Sequence, residues 1–148
     1  MKVTQYITRL LEHAGIDKVE IEENDKEEFL EIQLKVAEEE VGMLIGYHGE
    51  TLSAIQRLVR IVYSEEIEKR IVININDYRE KRLEKLQELA NNYAQKTIQT
   101  GEVQTLPYLP ANERFVIHSL ISSNPEFSTL ETVSEGQGKQ RRLTIKIK

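Results

Sequence analysis

Gly46 and Gly49 stand three positions apart and enclose Tyr47 and His48. Neither glycine has a Cβ, so the backbone can turn sharply there and approach a ligand closely. A helix starting directly afterwards would aim its unsatisfied N–H groups and positive dipole end at the turn. That chemistry is the grip of an anion such as a sugar-phosphate, with no bond made or broken. Arg114 and His118 form a second constellation, four apart and therefore on one face of a helix. Arginine is a permanent cation whose planar fork matches phosphate oxygens, and histidine adds another donor. The last thirteen residues hold Lys139, Arg141, Arg142, Lys146 and Lys148 and no Asp or Glu. Lys139, Arg141 and Arg142 are the candidates to extend that basic surface.

Catalytic chemistry needs groups that converge, and the sequence offers few. Its three histidines, His13, His48 and His118, have no metal-ligand spacing with one another. The absence of cysteine removes disulfides, thiolate nucleophiles and zinc-thiolate sites together. No nucleophile elbow, phosphate loop or HExxH helix occurs. Glu27-Glu28 and Glu38–Glu40 read as solvated runs rather than paired acids. The expectation is a binding protein with no catalytic residues, no metal and no cofactor.

The chain has 148 residues, room for one medium domain or two small ones. Hydrophobic residues make up 39% and charged ones 30%, too apolar a mixture for wholesale disorder. The net charge of −5 argues against a polyanionic partner until it is divided. Residues 1–76 carry 9 Lys/Arg against 16 Asp/Glu, whereas residues 77–148 carry 11 against 9. A nucleic acid would thus meet local basic sites set in an acidic body. The amino terminus lacks the apolar run of a signal peptide, and no stretch reaches the roughly 18 apolar residues of a membrane span. A cytoplasmic location without membrane insertion is expected.

These residues must be positioned by alternating helices and strands. Val3, Tyr6, Ile7, Leu10 and Leu11 recur at helical spacing up to Gly15. Val19–Glu22 alternates as a strand, Asn24-Asp25 reads as a turn, and Leu30–Val36 alternates more strongly. A short apolar helix, Val41–Ile45, precedes the glycine loop. A helix from about Thr51 to Tyr63 follows it, with Leu52, Ile55, Leu58, Val59 and Val62 inward, and then a strand, Ile71–Ile75. Asp77 and Glu80 look like a capping box for a long helix that ends at Gly101. Its apolar side carries Leu83, Leu86, Leu89, Ala90, Tyr93, Ala94 and Ile98. Val103–Leu106 suggests a short strand and Asn112–Ile121 a helix. Strands at Thr129–Val133 and Arg142–Ile147 are joined by a Gly136-Gln137-Gly138 hairpin. The fold class is α+β, in two small modules, residues 1–76 and 77–148.

The segment Val41-Gly42-Met43-Leu44-Ile45-Gly46-Tyr47-His48-Gly49-Glu50-Thr51-Leu52, continuing to Ile55-Gln56, resembles the signature of a KH domain. It is similar in particular to the KH domain of the bacterial Jag family, also called SpoIIIJ-associated or KhpB. The element order matches the type II arrangement of such domains. Family members commonly have a basic residue where Tyr47 stands, whereas His48 fits. Leu106–His118, Thr132–Gly136 and Arg141-Arg142 resemble the family's second module, the R-3-H domain, which binds single-stranded nucleic acids. Phe115 stands where a second arginine is frequent, and Tyr108 where methionine is. The likeness covers nearly the whole chain. The small amino-terminal domain and linker that begin many Jag proteins have no counterpart in it.

The resemblance implies a binder of single-stranded RNA or single-stranded DNA, acting as a post-transcriptional regulator or RNA chaperone. Gly46, Tyr47, His48 and Gly49 would clamp the backbone, with bases along the apolar groove of the next helix. Arg114, His118, Lys139, Arg141 and Arg142 would hold neighbouring phosphates. A small partner KH protein is a further implied partner. The competing reading is a protein-interaction adaptor whose acidic first module binds protein while only the second touches nucleic acid.

Overall fold

The computed structural model describes residues 1–148 and mixes helix and sheet in the α+β manner expected. The chain divides into two compact units, Met1–Arg79 and Glu80–Lys148, each with its own core.

The first unit opens with α1 (Val3–His13), which buries Val3, Ile7 and Leu11. Gly15 takes φ +88° just past the helix end, and the Ile16 N–H returns to the Leu11 carbonyl at 2.9 Å. That left-handed closure is open to glycine at little cost and drops Ile16 into the core. Strands β1 (Glu20–Asp25) and β2 (Phe29–Lys35) pair antiparallel, and β3 (Arg70–Ile75) lies parallel to β2. Asn24 and Asp25 are strand residues, paired with Glu31 and Leu30, so the expected turn is displaced to 26–28. Their turn propensity yields to the ladder, a tertiary override of a weak local preference.

α2 (Glu38–Ile45) begins three residues earlier than its apolar stretch, because Glu38, Glu39 and Glu40 form its first turn. Carboxylates there complement the helix dipole, so the acidic run is a helix start as well as a solvated surface. α3 (Glu50–Val62) buries Leu52 and Val59, with Ile55 half-buried. Leu58 and Val62 are 40% and 46% exposed, against the inward placement expected of them. They flank the buried stripe of a helix that packs on one side only.

The outer edge of β3 is completed by side chains. Gln56 Oε1 accepts from the Ile73 N–H at 2.8 Å, and Arg60 Nε donates to the Ile71 carbonyl at 2.9 Å. The Arg79 guanidinium donates to the Ile73 carbonyl and to Gln56. Exposed strand edges invite further pairing, and this one is occupied.

α4 (Tyr78–Thr100) follows at once. Asp77 has φ +57°, outside the extended region that an N-cap adopts, so the Asp77–Glu80 box is not built in its usual form. Buried Asn74 caps instead, its Oδ1 accepting from the Arg79 N–H at 3.3 Å. In the second unit α4 buries Leu86, Ala90, Ala94 and Thr97, while Leu83 and Ile98 at its ends are exposed. Thr97 is tolerated because its hydroxyl donates to the Tyr93 carbonyl at 2.9 Å. β4 (Gln104–Thr105), β5 (Leu130–Glu135) and β6 (Arg142–Ile147) form an antiparallel sheet in the order β4-β6-β5. α5 (Ala111–Ser123) turns Ile117 and Ile121 into the core. The glycine-rich link between β5 and β6 is longer than a tight hairpin, with a 3₁₀ turn at Gly138–Gln140.

Candidate nucleic-acid interface

The glycine loop is a strained turn between α2 and α3. Gly46 has φ +71° and ψ −175°, a region essentially restricted to glycine. A Cβ on Gly46 would lie 2.1 Å from Thr51 Oγ1 and 2.8 Å from Thr51 Cβ. The first glycine is therefore required twice, by its dihedrals and by the close approach of α3. Gly49 is also left-handed, at φ +80°, but a Cβ there would meet Tyr78 only at ordinary contact distance. His48 adopts the left-handed conformation too, at φ +52°.

Three backbone N–H groups at the loop are engaged by carbonyls of the chain itself. The Gly46 N–H donates to the Gly42 carbonyl at 2.9 Å, and the Gly49 N–H to the Gly46 carbonyl at 3.3 Å. The Glu50 N–H donates to the Tyr47 carbonyl. The glycines give the loop its shape, and Tyr47 and His48 stand at its apex. Tyr47 is 67% exposed and packs edge-on to the His48 ring, with centroids 4.1 Å apart. Beside the loop, Leu10, Leu11, Ala14, Met43, Ile55 and Leu58 border an apolar cleft of about 270 Å³ between α1, α2 and α3.

In the second unit, a cleft of about 250 Å³ between α5 and the sheet brings Arg114, His118 and Arg141 together. Ala111, Arg114, Phe115 and His118 make a stripe at helical spacing on α5, flanking the Ile117 and Ile121 core face. Opposite them, Thr132 and Ser134 project from the same face of β5. His118 Nδ1 is hydrogen-bonded to Thr132 Oγ1, which fixes the ring across the cleft. Arg114 donates to the Leu109 carbonyl at 2.6 Å, and Arg141 to the Gly136 carbonyl at 2.8 Å. Neither guanidinium pairs with a carboxylate. Neutral carbonyls orient these cations without cancelling their charge.

Arg114's neighbour, Glu113, is diverted. It is 5% exposed and receives two 2.7 Å hydrogen bonds from Arg82, Nε to Oε1 and Nη2 to Oε2. Arg142 does not line the cleft. It lies 5.4 Å from the centre of the Tyr108 ring and donates to the Lys139 and Arg141 carbonyls. Lys139 is exposed on the 3₁₀ turn. The five basic or imidazole candidates of this unit therefore separate into three at the cleft and two beside it.

Sequence reasoning took Thr132 and Ser134 only as part of a signature segment and not as site residues, although the period-2 alternation of β5 puts them on one face. It also passed over the Arg82–Glu113 pair, which a glutamate on a helix otherwise facing a core would have flagged. No group of His, Asp and Glu is arranged to hold a metal ion, and no helix is long and apolar enough to cross a membrane.

Residues 1–75 match the family profile described as the KH domain of KhpA/KhpB, and residues 84–146 match that of the R-3-H domain. Over 135 residues the chain is 30% identical to the RNA-binding protein KhpB of Bacillus subtilis, covering 89% of this chain and 62% of that one. The protein of the same name from Clostridium symbiosum is 30% identical over 132 residues, 88% of this chain and 57% of its own. That of Lactiplantibacillus plantarum is 33% identical over 109 residues, 72% of this chain and 33% of its own. The chain thus spans less than two thirds of the length of these relatives. A GxxG turn between two helices, an Arg-xxx-His stripe on the fifth helix and both profile matches place the chain in the KhpB-type family, a KH domain followed by an R-3-H domain.

Proposed function

We propose that this chain is a non-enzymatic, cytoplasmic binder of single-stranded RNA with two sites, and that the second supplies the electrostatic hold. The observation that carries this reading is the convergence of Arg114, Arg141 and His118 in one cleft without a carboxylate partner. Uncompensated cations at the surface suit phosphate, which is the dominant source of nucleic-acid affinity. The loop at Gly46–Gly49 adds a second, weaker contact through Tyr47, His48 and the backbone between them. Two weak sites on one chain reinforce each other through effective concentration. The relatives named RNA-binding protein KhpB support RNA as the ligand, and a role in post-transcriptional regulation or RNA chaperoning follows from that.

The test is a titration of labelled single-stranded RNA at several salt concentrations. Arg114→Ala and Arg141→Ala should each weaken binding and lower the salt slope by roughly one ion for each phosphate no longer neutralised. Unchanged affinity and slope in the double variant would reject the reading.

A second reading is favoured by the apolar cleft between α1, α2 and α3, where Met43 is 53% exposed. In it the acidic KH unit docks protein, such as a small KH partner, while only the R-3-H unit touches RNA. Changing Tyr47 and His48 together to Asp distinguishes the two. Unaltered RNA affinity in that folded variant favours the adaptor.

A further inference from the structure

Phe115 is 69% exposed, the most exposed aromatic ring of the second unit, and nothing in the packing of α5 requires it. The core face of that helix is supplied by Ile117 and Ile121, with Val116 and Leu120 packed beside them. A phenyl ring held in water costs free energy that a polar residue at this position would not. Its place is nevertheless specific. It adjoins Arg114 on the stripe that faces Thr132 and Ser134, in the same cleft as His118 and Arg141. Where a second arginine would have added another phosphate contact, this chain has a flat π-surface beside an existing one.

We infer that this cleft takes one unpaired nucleotide, its base stacked on Phe115 and its phosphate held by Arg114, Arg141 and His118. The inference rests on the RNA-binding reading above and names how the cleft selects its ligand. A base on the Phe115 ring cannot also lie between its neighbours in a duplex, so the site is closed to paired strands. Stacking accepts any base, because each has a π-face, and it grows with ring area. Purines should therefore bind better than pyrimidines without hydrogen-bond readout. The Thr132 hydroxyl is engaged by His118 Nδ1, which holds the imidazole in the cleft.

The test uses the full chain with labelled oligoadenylate and oligouridylate, comparing the parent with Phe115→Ala, Phe115→Tyr and Arg114→Ala. Phe115→Ala should weaken oligoadenylate binding by about 5- to 150-fold, the range expected when one base–aromatic stack is removed. Its effect on oligouridylate should be smaller, so the purine preference collapses while the salt slope stays unchanged. Phe115→Tyr keeps the ring and should bind close to the parent. Parent-like binding by Phe115→Ala, with Arg114→Ala still impaired, would overturn the stacking inference and leave the phosphate site standing. If neither variant is impaired, the RNA-binding reading of the cleft fails as well. Equal losses on both oligonucleotides with a lowered unfolding midpoint would assign Phe115 a structural role and overturn the inference. Quenching of a 2-aminopurine placed in the oligonucleotide, abolished in Phe115→Ala and retained in Phe115→Tyr, is the independent measurement.

Discussion

Arg82 on α4 and Glu113 on α5 form a two-pronged ion pair, with both N···O distances 2.7 Å and the glutamate 5% exposed. The pair ties the first turn of α5 to α4 and withdraws the carboxylate adjoining Arg114. It therefore acts on packing and on the electrostatics of the cleft at once.

Arg82→Met should destabilise the second unit by about 3 kcal/mol, because it leaves a buried carboxylate without its cation. Pairing that change with Glu113→Gln should restore part of the loss, since no buried charge then remains. Urea denaturation of the parent, single and double variants reads the cycle. Additive losses would mean that the two side chains do not depend on each other.

The two loop glycines should not be equivalent. Gly46→Ala drives a methyl into Thr51 and forces dihedrals that alanine avoids, and should cost at least about 2 kcal/mol. Gly49→Ala has room for its methyl and meets only the left-handed backbone penalty, about 1 kcal/mol. Thr51→Ala removes the nearest clashing atom and should partly rescue Gly46→Ala. Equal unfolding midpoints for the two alanine variants would refute the close approach.

Alkaline pH should weaken the first unit through Tyr63. Burial, then the nearby charges of Glu66 and Tyr6, raises its phenol above the ordinary value of 10.0. The unfolded chain therefore ionises first. Stability is fully present below pH 10.0 and falls as pH rises from there through the folded-state value. Tyr63→Phe should remove its share of this slope while also losing the hydroxyl bond to the Met1 carbonyl, 3.0 Å in the parent. Denaturation midpoints measured from neutral to alkaline pH check the sign. A midpoint that rises with pH in that window would contradict it.

Among the terminal basic residues, position in the fold should outrank charge. Arg142→Ala removes a guanidinium that lies against Tyr108 outside the cleft, and should cost roughly 0.5–1 kcal/mol of stability. The salt slope of RNA binding should stay near the parent value, unlike that of Arg141→Ala. Identical slopes for the two variants would show that the basic surface acts as a whole.

Much of this molecule follows from local pattern. The apolar periodicity of Val3–Leu11, the alternation of Leu30–Val36 and the glycine pair at 46 and 49 depend on one helix, one strand and one turn. Each can be read without knowing its neighbours. Element order and the Arg114–His118 stripe are local in the same sense. The exceptions lie where a distant partner decides. Asn24 and Asp25 join a strand because Glu31 and Leu30 pair with them. Leu58 and Val62 stay exposed because α3 is covered on one side only. Asn74 replaces Asp77 as the cap of α4 because the end of β3 carries it to the helix start. The loop amides are a further case, since whether an N–H faces a ligand depends on the carbonyl that reaches it.

The presence of cations and of a glycine turn follows from residue type and spacing alone. Which cations share a cleft is set by packing between elements distant in the chain. That packing draws Arg141 to Arg114 and His118 across a loop and a sheet, and sets Arg142 over the Tyr108 ring. Charge is a property of the residue, whereas a binding site is a property of distances between residues far apart in the chain.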